Sequence, residues 1–131
     1  MKGVDFMKCK DLILWQKSMD LVEEVYLLIK KLPQEEIYAL SSQMRRAVVS
    51  IPSNVAEGSG RKSPKDYIRF LYIARGSQYE LETQVHICIR LNYLTEEETI
   101  KVFSLLSEVG KLLNSFINKI ESKLDTNPTS T

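Results

Sequence analysis

Apolar residues recur along this chain at alternating spacings of three and four, the period of an amphipathic helix, in four separate stretches. In the first, Leu12, Trp15, Met19, Val22, Tyr26 and Ile29 fall on one face. Pro33 closes that helix, because a proline disfavours helical geometry in the residue before it. The second stretch runs from about Leu40 to Ala56, with a stripe of Leu40, Met44, Val48, Ile51 and Val55. Pro52 lies inside it, lacks a backbone donor and crowds the Val48 carbonyl, which predicts a kink. Ser50 and Ser53 are placed to satisfy backbone groups loosened there. Gly58 and Gly60 are the expected C-terminal stop.

The third stretch opens on Ser63-Pro64-Lys65-Asp66, a serine cap followed by proline at the first helical position and a carboxylate in the first turn. Its stripe is Tyr67, Leu71, Ala74, Leu81, Val85 and Cys88, ending near Leu91. Gly76 interrupts it at a cost of about 1 kcal/mol relative to alanine. With Ala74 and Ser77 it reads as a small-residue patch that lets another helix approach closely. The fourth helix opens on the capping box Thr95-Glu96-Glu97-Glu98 and carries Val102, Leu106, Val109, Leu113, Phe116 and Ile120.

Four amphipathic helices joined by short links predict an all-α protein, an antiparallel up-down bundle. It forms one domain over residues 1–124, with a polar tail, 125–131, read as disordered. Composition agrees: 44% apolar and 27% charged residues are ordinary for a soluble domain, and five glycines with four prolines leave few turns. No apolar run approaches the roughly 20 residues that cross a bilayer, so no membrane partner is expected. Residues 1–10 lack the apolar core of a signal peptide. Cys9 and Cys88 match no metal or disulfide spacing, and Cys88 lies in an apolar stripe as a buried reduced thiol. A reducing cytoplasm is the expected setting.

Net charge is only +1, but it is unevenly spread. Between Gln43 and Arg75, Arg45, Arg46, Arg61, Lys62, Lys65, Arg69 and Arg75 face only Glu57 and Asp66, so this segment is +5 and the rest is −4. Such asymmetry points to an anionic partner, or else to a solvated basic face with ion pairs between subunits. The third helix mixes Tyr67, Phe70, Tyr72 and Tyr79 with Arg69 and Arg75 as in surfaces that stack bases, although aromatics in bundles usually pack the core.

Catalytic chemistry finds little support. The only histidine, His86, has Thr83 three residues before it, so the Glu-x-x-His motif of metal-binding bundles is absent. Glu82 and His86 are spaced for at most one shared ligand. Cys88 and His86 face different directions on one helix. No phosphate-binding loop, dinucleotide fingerprint or nucleophile elbow occurs. Neither an enzyme activity nor a cofactor is expected.

Helix two carries a polar stripe beside its apolar one. Gln43, Ser50, Asn54 and Glu57 flank the core stripe, with Arg46 and Ser53 further round. Val49, Pro52 and Ala56 form a smaller apolar surface on the other flank. A helix apolar on two flanks can serve both its own core and a neighbouring subunit. Val49, Ser50, Pro52, Ser53, Asn54, Ala56, Glu57, Gly58 and Gly76 are therefore assigned to structure and assembly. Asn54 and Glu57 also suit the simpler task of tying down the helix end.

With Arg45-Arg46-Ala47, Ser50-Ile51-Pro52-Ser53-Asn54-Val55-Ala56-Glu57-Gly58 and Gly76-Ser77 in view, the chain resembles the four-helix-bundle family encoded in bacterial 23S rRNA intervening sequences. Asp11-Leu12, Trp15-Gln16-Lys17, Pro33, Glu36, Tyr38, Leu40, Gln43, Arg69-Phe70-Leu71, Ala74 and Glu80-Leu81-Glu82 extend the resemblance over roughly residues 6–120. It departs at Ser18, Ala39 and Gln78, the last on the helix-three core stripe. The family in turn resembles an accessory protein of diversity-generating retroelements, which assists a reverse transcriptase. The resemblance implies a left-handed bundle, assembly as a homopentamer and a nucleic-acid-related role. RNA or DNA and a protein such as a reverse transcriptase are the partners it implies.

Overall fold

The computed structural model describes residues 8, 9 and 12–125. Asp11 and positions 126–131 lie outside the described residues, so most of the expected tail does too. Asp125 instead closes the last helix. The described residues hold four long helices and no strand: α1 (Ile13–Ile29), α2 (Leu40–Ser59), α3 (Pro64–Arg90) and α4 (Ile100–Asp125). Single 3-10 turns, Gln34–Glu36 and Glu97–Thr99, lead into α2 and α4.

Cross-helix pairs run in opposite directions on neighbouring helices, which makes the bundle antiparallel. Between α1 and α4, Lys17 meets Glu108 at 3.2 Å and Glu24 meets Lys101 at 3.2 Å. Between α2 and α3, Ser50 bonds Ser77 while Met44 lies against Cys88. Between α3 and α4, Tyr72 donates to Glu121 and Arg75 donates to Asn114. The exposed ion pairs among these mark register more than they stabilise, each contributing about 0–1 kcal/mol.

Local chemistry explains the ends. Ser63 Oγ accepts from the Asp66 N–H at 3.3 Å, with Pro64 at the first helical position. Thr95 and Glu98 form the reciprocal capping box: Thr95 N–H donates to Glu98 Oε1 at 2.9 Å and Glu98 N–H donates to Thr95 Oγ1 at 3.1 Å. Glu36 holds two loops together, accepting from the Leu40 N–H at 3.3 Å and from the Tyr93 hydroxyl at 2.8 Å. Asn92, at φ 62°, ends α3, and the Tyr93 N–H returns to the Cys88 carbonyl at 2.9 Å.

Three expectations need correction. The core face of α1 is Leu14, Ser18, Leu21, Val25, Leu28 and Ile29; of the stripe read from the sequence only Ile29 is fully buried, with Trp15 and Val22 packed half-buried against the core. Met19 and Tyr26 of that stripe are 39% and 38% exposed. The true face was disguised by Ser18, whose hydroxyl donates to the Leu14 carbonyl at 2.7 Å and so is buried without an unmet bond. Secondly, Gly58 is no stop: α2 runs unbroken through Pro52 and Gly58 to Ser59, and Gly60 caps it at an ordinary φ of −86°. Thirdly, Ala74, Gly76 and Ser77 do not share a face. Ala74 and Ser77 are buried, Ser77 against α2, whereas Gly76 is exposed and a Cβ there would meet nothing within 4 Å.

The core draws on all four helices, with Leu14, Leu21, Met44, Ile51, Leu71, Leu81, Leu106 and Leu113 wholly buried. Cys88 is buried as expected, its thiol 3.7 Å from the Met44 sulfur. Burial pushes that thiol up to about 11, with the Glu36 charge adding to it, so it stays protonated near neutral pH. Gln78 is only 5% exposed, and Gly110 of α4 makes its room: a Cβ on Gly110 would lie 3.1 Å from the Gln78 amide nitrogen.

Candidate functional site

A cationic corner is built where α2 hands over to α3. Gly58 lets the two helices converge, because a Cβ there would stand 2.9 Å from Tyr67 Cδ1 and 3.0 Å from Phe70 Cβ. Ser59 Oγ donates to the Ala56 carbonyl at 2.9 Å, and the Gly60 N–H bonds the same carbonyl at 3.3 Å. Arg61 and Lys62 leave this tight turn exposed. Arg61 donates to Glu57 at 3.1 Å, and its guanidinium lies 4.8 Å from the Phe70 ring centre. Arg69 lies 4.5 Å from the same ring centre and 3.6 Å from Asp66. Glu57 thus serves the turn, as its simpler reading had it.

Beside the turn is a cavity of about 460 Å³. Arg61, Lys62, Ser63, Pro64 and Tyr67 line one side; Phe116, Lys119, Ile120, Lys123 and Leu124 of α4 line the other. Its lining mixes the aromatic and aliphatic side chains Tyr67, Phe116, Ile120 and Leu124 with four cations, and none of its described lining residues is acidic. Burial, with the Cys9 thiol nearby, holds the Tyr67 phenol above its ordinary range, so it remains a neutral donor.

Lys119 and Lys123 were absent from the sequence candidates. They belong to the half of the chain whose net charge is negative, and only the antiparallel register brings the last turns of α4 against the first turn of α3. Their i, i+4 spacing beside Phe116 and Ile120 was the available signal.

The other candidate cations do not join this corner. Lys65 borders a second cavity with Ile68, Glu121, Leu124 and Asp125, where charges are mixed. Arg75 donates to Asn114 Oδ1 at 3.0 Å and lies 4.7 Å from the Tyr72 ring centre, at the α3–α4 seam. Arg45 lies 6.0 Å from the Tyr26 ring centre, at the α1–α2 seam, and Arg46 is exposed one residue on. At about 1.5 Å of rise per residue, roughly 20 Å of α2 separates these two from Arg61.

The assembly motif resolves into different tasks. Asn54 Nδ2 donates to the Ser50 carbonyl at 2.8 Å and to Ser50 Oγ at 2.9 Å, and Ser50 Oγ pairs with Ser77 Oγ at 2.8 Å. This polar bridge locks α2 to α3 near Pro52. Asn54 bonds the Ser50 backbone carbonyl here, whereas Ser53 is exposed. The expected second apolar flank is mostly consumed by the core, since Pro52 is buried and Ala56 half-buried, leaving Val49 exposed. His86 lies 4.7 Å from the Phe103 ring, and no cluster of three potential metal ligands occurs among the described residues. No helix among them is long and apolar enough to cross a membrane.

Fold and site together define a small four-helix-bundle protein with a cationic, aromatic-lined corner. The 23S rRNA-intervening sequence protein family matches residues 10–115, and the chain belongs to that family. A solved structure from Bacteroides thetaiotaomicron, a protein of unknown function from the S23 ribosomal protein family, is 29% identical, with a TM-score of 0.74. The match covers 80% of this chain and 98% of that one. No match was found among curated proteins.

Proposed function

We propose that this protein is a non-enzymatic, homo-oligomeric binding protein of the cytoplasm, a pentamer, that holds structured RNA or DNA through its basic corner. The observation that carries this reading is the convergence of Arg61, Lys62, Lys119 and Lys123 round one cavity with no acid among its described lining residues. Phosphate contacts of this kind supply most sequence-independent affinity for nucleic acid. The outer face of α3 supports assembly. Ile73, Gly76, Tyr79 and Ile87 share it, three of them large and apolar yet exposed, with a glycine between that has no steric need within the subunit. Repetition round a ring would multiply the field of each corner.

The test is equilibrium binding of a labelled RNA hairpin and a matched DNA duplex across about 50–200 mM salt, where phosphate contacts make affinity fall steeply. Replacing Arg61 and Lys62 by glutamine should weaken binding to all sequences and flatten the salt slope by about 2. Failure to bind either nucleic acid at low salt sinks the reading. A second reading, an adaptor for a nucleic-acid enzyme such as a reverse transcriptase, draws on the apolar side chains that α1 leaves exposed, Ile13, Met19, Tyr26 and Leu27.

A further inference from the structure

We propose that the cavity between the α2–α3 turn and the end of α4 is a subsite for one unstacked nucleotide, with its base on the aromatic side chains of the lining and its 5′-phosphate on the cations. The inference rests on the nucleic-acid reading only for the polymer as source of that nucleotide; the chemistry recognised, a nucleoside 5′-phosphate, is the same in a free mononucleotide.

Three observations converge on it. The volume, about 460 Å³, falls within the roughly 300–1,000 Å³ of small-ligand sites, so the cavity has the size of a ligand part rather than of a duplex groove. Tyr67 of α3 and Phe116 of α4 both line it, half-buried, and aromatic side chains are the groups on which bases stack, at about 1–3 kcal/mol per base. Four cations share the same lining and are available to a phosphate attached to such a base: Arg61 and Lys62 on the turn, Lys119 and Lys123 one helical turn apart on α4. Glu57 tempers Arg61, but it does not line the cavity. Asp66, the acid of the adjoining first turn, is held by Arg69 and lies outside the lining as well. A long acyl chain would need a deeper apolar tunnel. A base-paired duplex presents phosphates but no free base face, so it can touch the cations without stacking on the aromatics. An unpaired nucleotide satisfies both halves.

The full chain is titrated with the four nucleoside 5′-monophosphates, and with adenosine and ribose 5-phosphate as the separate halves. In parallel, one single-stranded RNA is compared with and without a 5′-phosphate. At least one monophosphate should bind tenfold or more tightly than either half. The double variant Lys119→Gln, Lys123→Gln, both at exposed positions and checked for an unchanged melting temperature, should lose about tenfold of that affinity. Arg45→Gln with Arg46→Gln should leave it unchanged. A monophosphate that binds no better than ribose 5-phosphate, or an α4 variant without effect, overturns the subsite. RNA binding that persists without 5′-phosphate preference or mononucleotide binding also overturns it, and leaves the broader reading standing. Mononucleotide binding with no affinity for RNA or DNA keeps the subsite, assigns it to a free nucleotide, and overturns the broader reading. If nothing binds, both fall.

Discussion

Gly58 and Gly76 are both glycines within helices, and their surroundings are opposite. Around Gly58 the space for a Cβ is already taken by Tyr67 and Phe70, partly by the Tyr67 backbone carbonyl at 3.2 Å, which cannot turn aside. Gly58→Ala should therefore destabilise the bundle by about 1–3 kcal/mol, outweighing the gain of about 1 kcal/mol in helix propensity. Urea unfolding followed by circular dichroism reads the difference, and an unchanged midpoint would mean the α2–α3 crossing is looser than described. The same crossing aims Arg61 and Lys62, so nucleotide or RNA affinity should fall in step. The sequence marked Gly58 as special but supplied the wrong reason. A glycine near a helix end resembles a cap, and only the partner helix reveals that the missing Cβ matters for packing. Gln78 is a similar case. Its position on the core stripe was legible, whereas the glycine that accommodates it, Gly110, lies 32 residues away on another helix.

Between elements, what could be read in advance was whatever the chain settles locally. Pro33, the Ser63-Pro64 start and the Thr95–Glu98 box are satisfied by residues three or four positions away, and the structure has each of them. The α1 face was misread because periodicity weighs side chains by hydrophobicity, whereas Ser18 is buried at little cost by a bond to its own helix. The stripe through Met19 and Tyr26 looked better and is half outside. The Asn54–Ser50–Ser77 bridge was half legible: the residues were singled out, but backbone bonding was assigned to Ser50 and Ser53 rather than Asn54, and the partner on α3 was unseen. Asn54→Leu removes both amide bonds to Ser50 and leaves the serine pair without its outer donor. About 1–2 kcal/mol should be lost, seen as a lower melting temperature. A variant with unaltered melting and unaltered mass would show that the bridge holds nothing.

For the whole molecule, the charge argument and the assembly argument meet on α3. The candidate site was only partly legible because linear charge counting grouped cations that the fold separates, sending Arg45 and Arg75 to opposite seams, and missed two that the fold recruits, Lys119 and Lys123. Assembly is open to the same kind of test. An exposed helical glycine costs a subunit about 1 kcal/mol relative to alanine, so within one subunit Gly76→Ala should stabilise by that amount. If instead α3 packs closely against a second copy through Ile73, Gly76 and Tyr79, each added methyl forces the helices apart, and Gly76→Leu does so further. Sedimentation at several concentrations should then show Gly76→Leu dissociating at concentrations where the parent stays assembled, while urea unfolding of the dissociated Gly76→Ala subunit shows the propensity gain. Stabilisation with no change in mass would make Gly76 an ordinary surface residue and move the subunit contact elsewhere. The two measurements separate because one acts on the subunit alone and the other on the distance between subunits. Nucleic-acid affinity adds the last step: if the proposed ring forms and each corner binds alone, a variant that breaks it should bind less tightly through lost multivalency while keeping the mononucleotide affinity of each cavity.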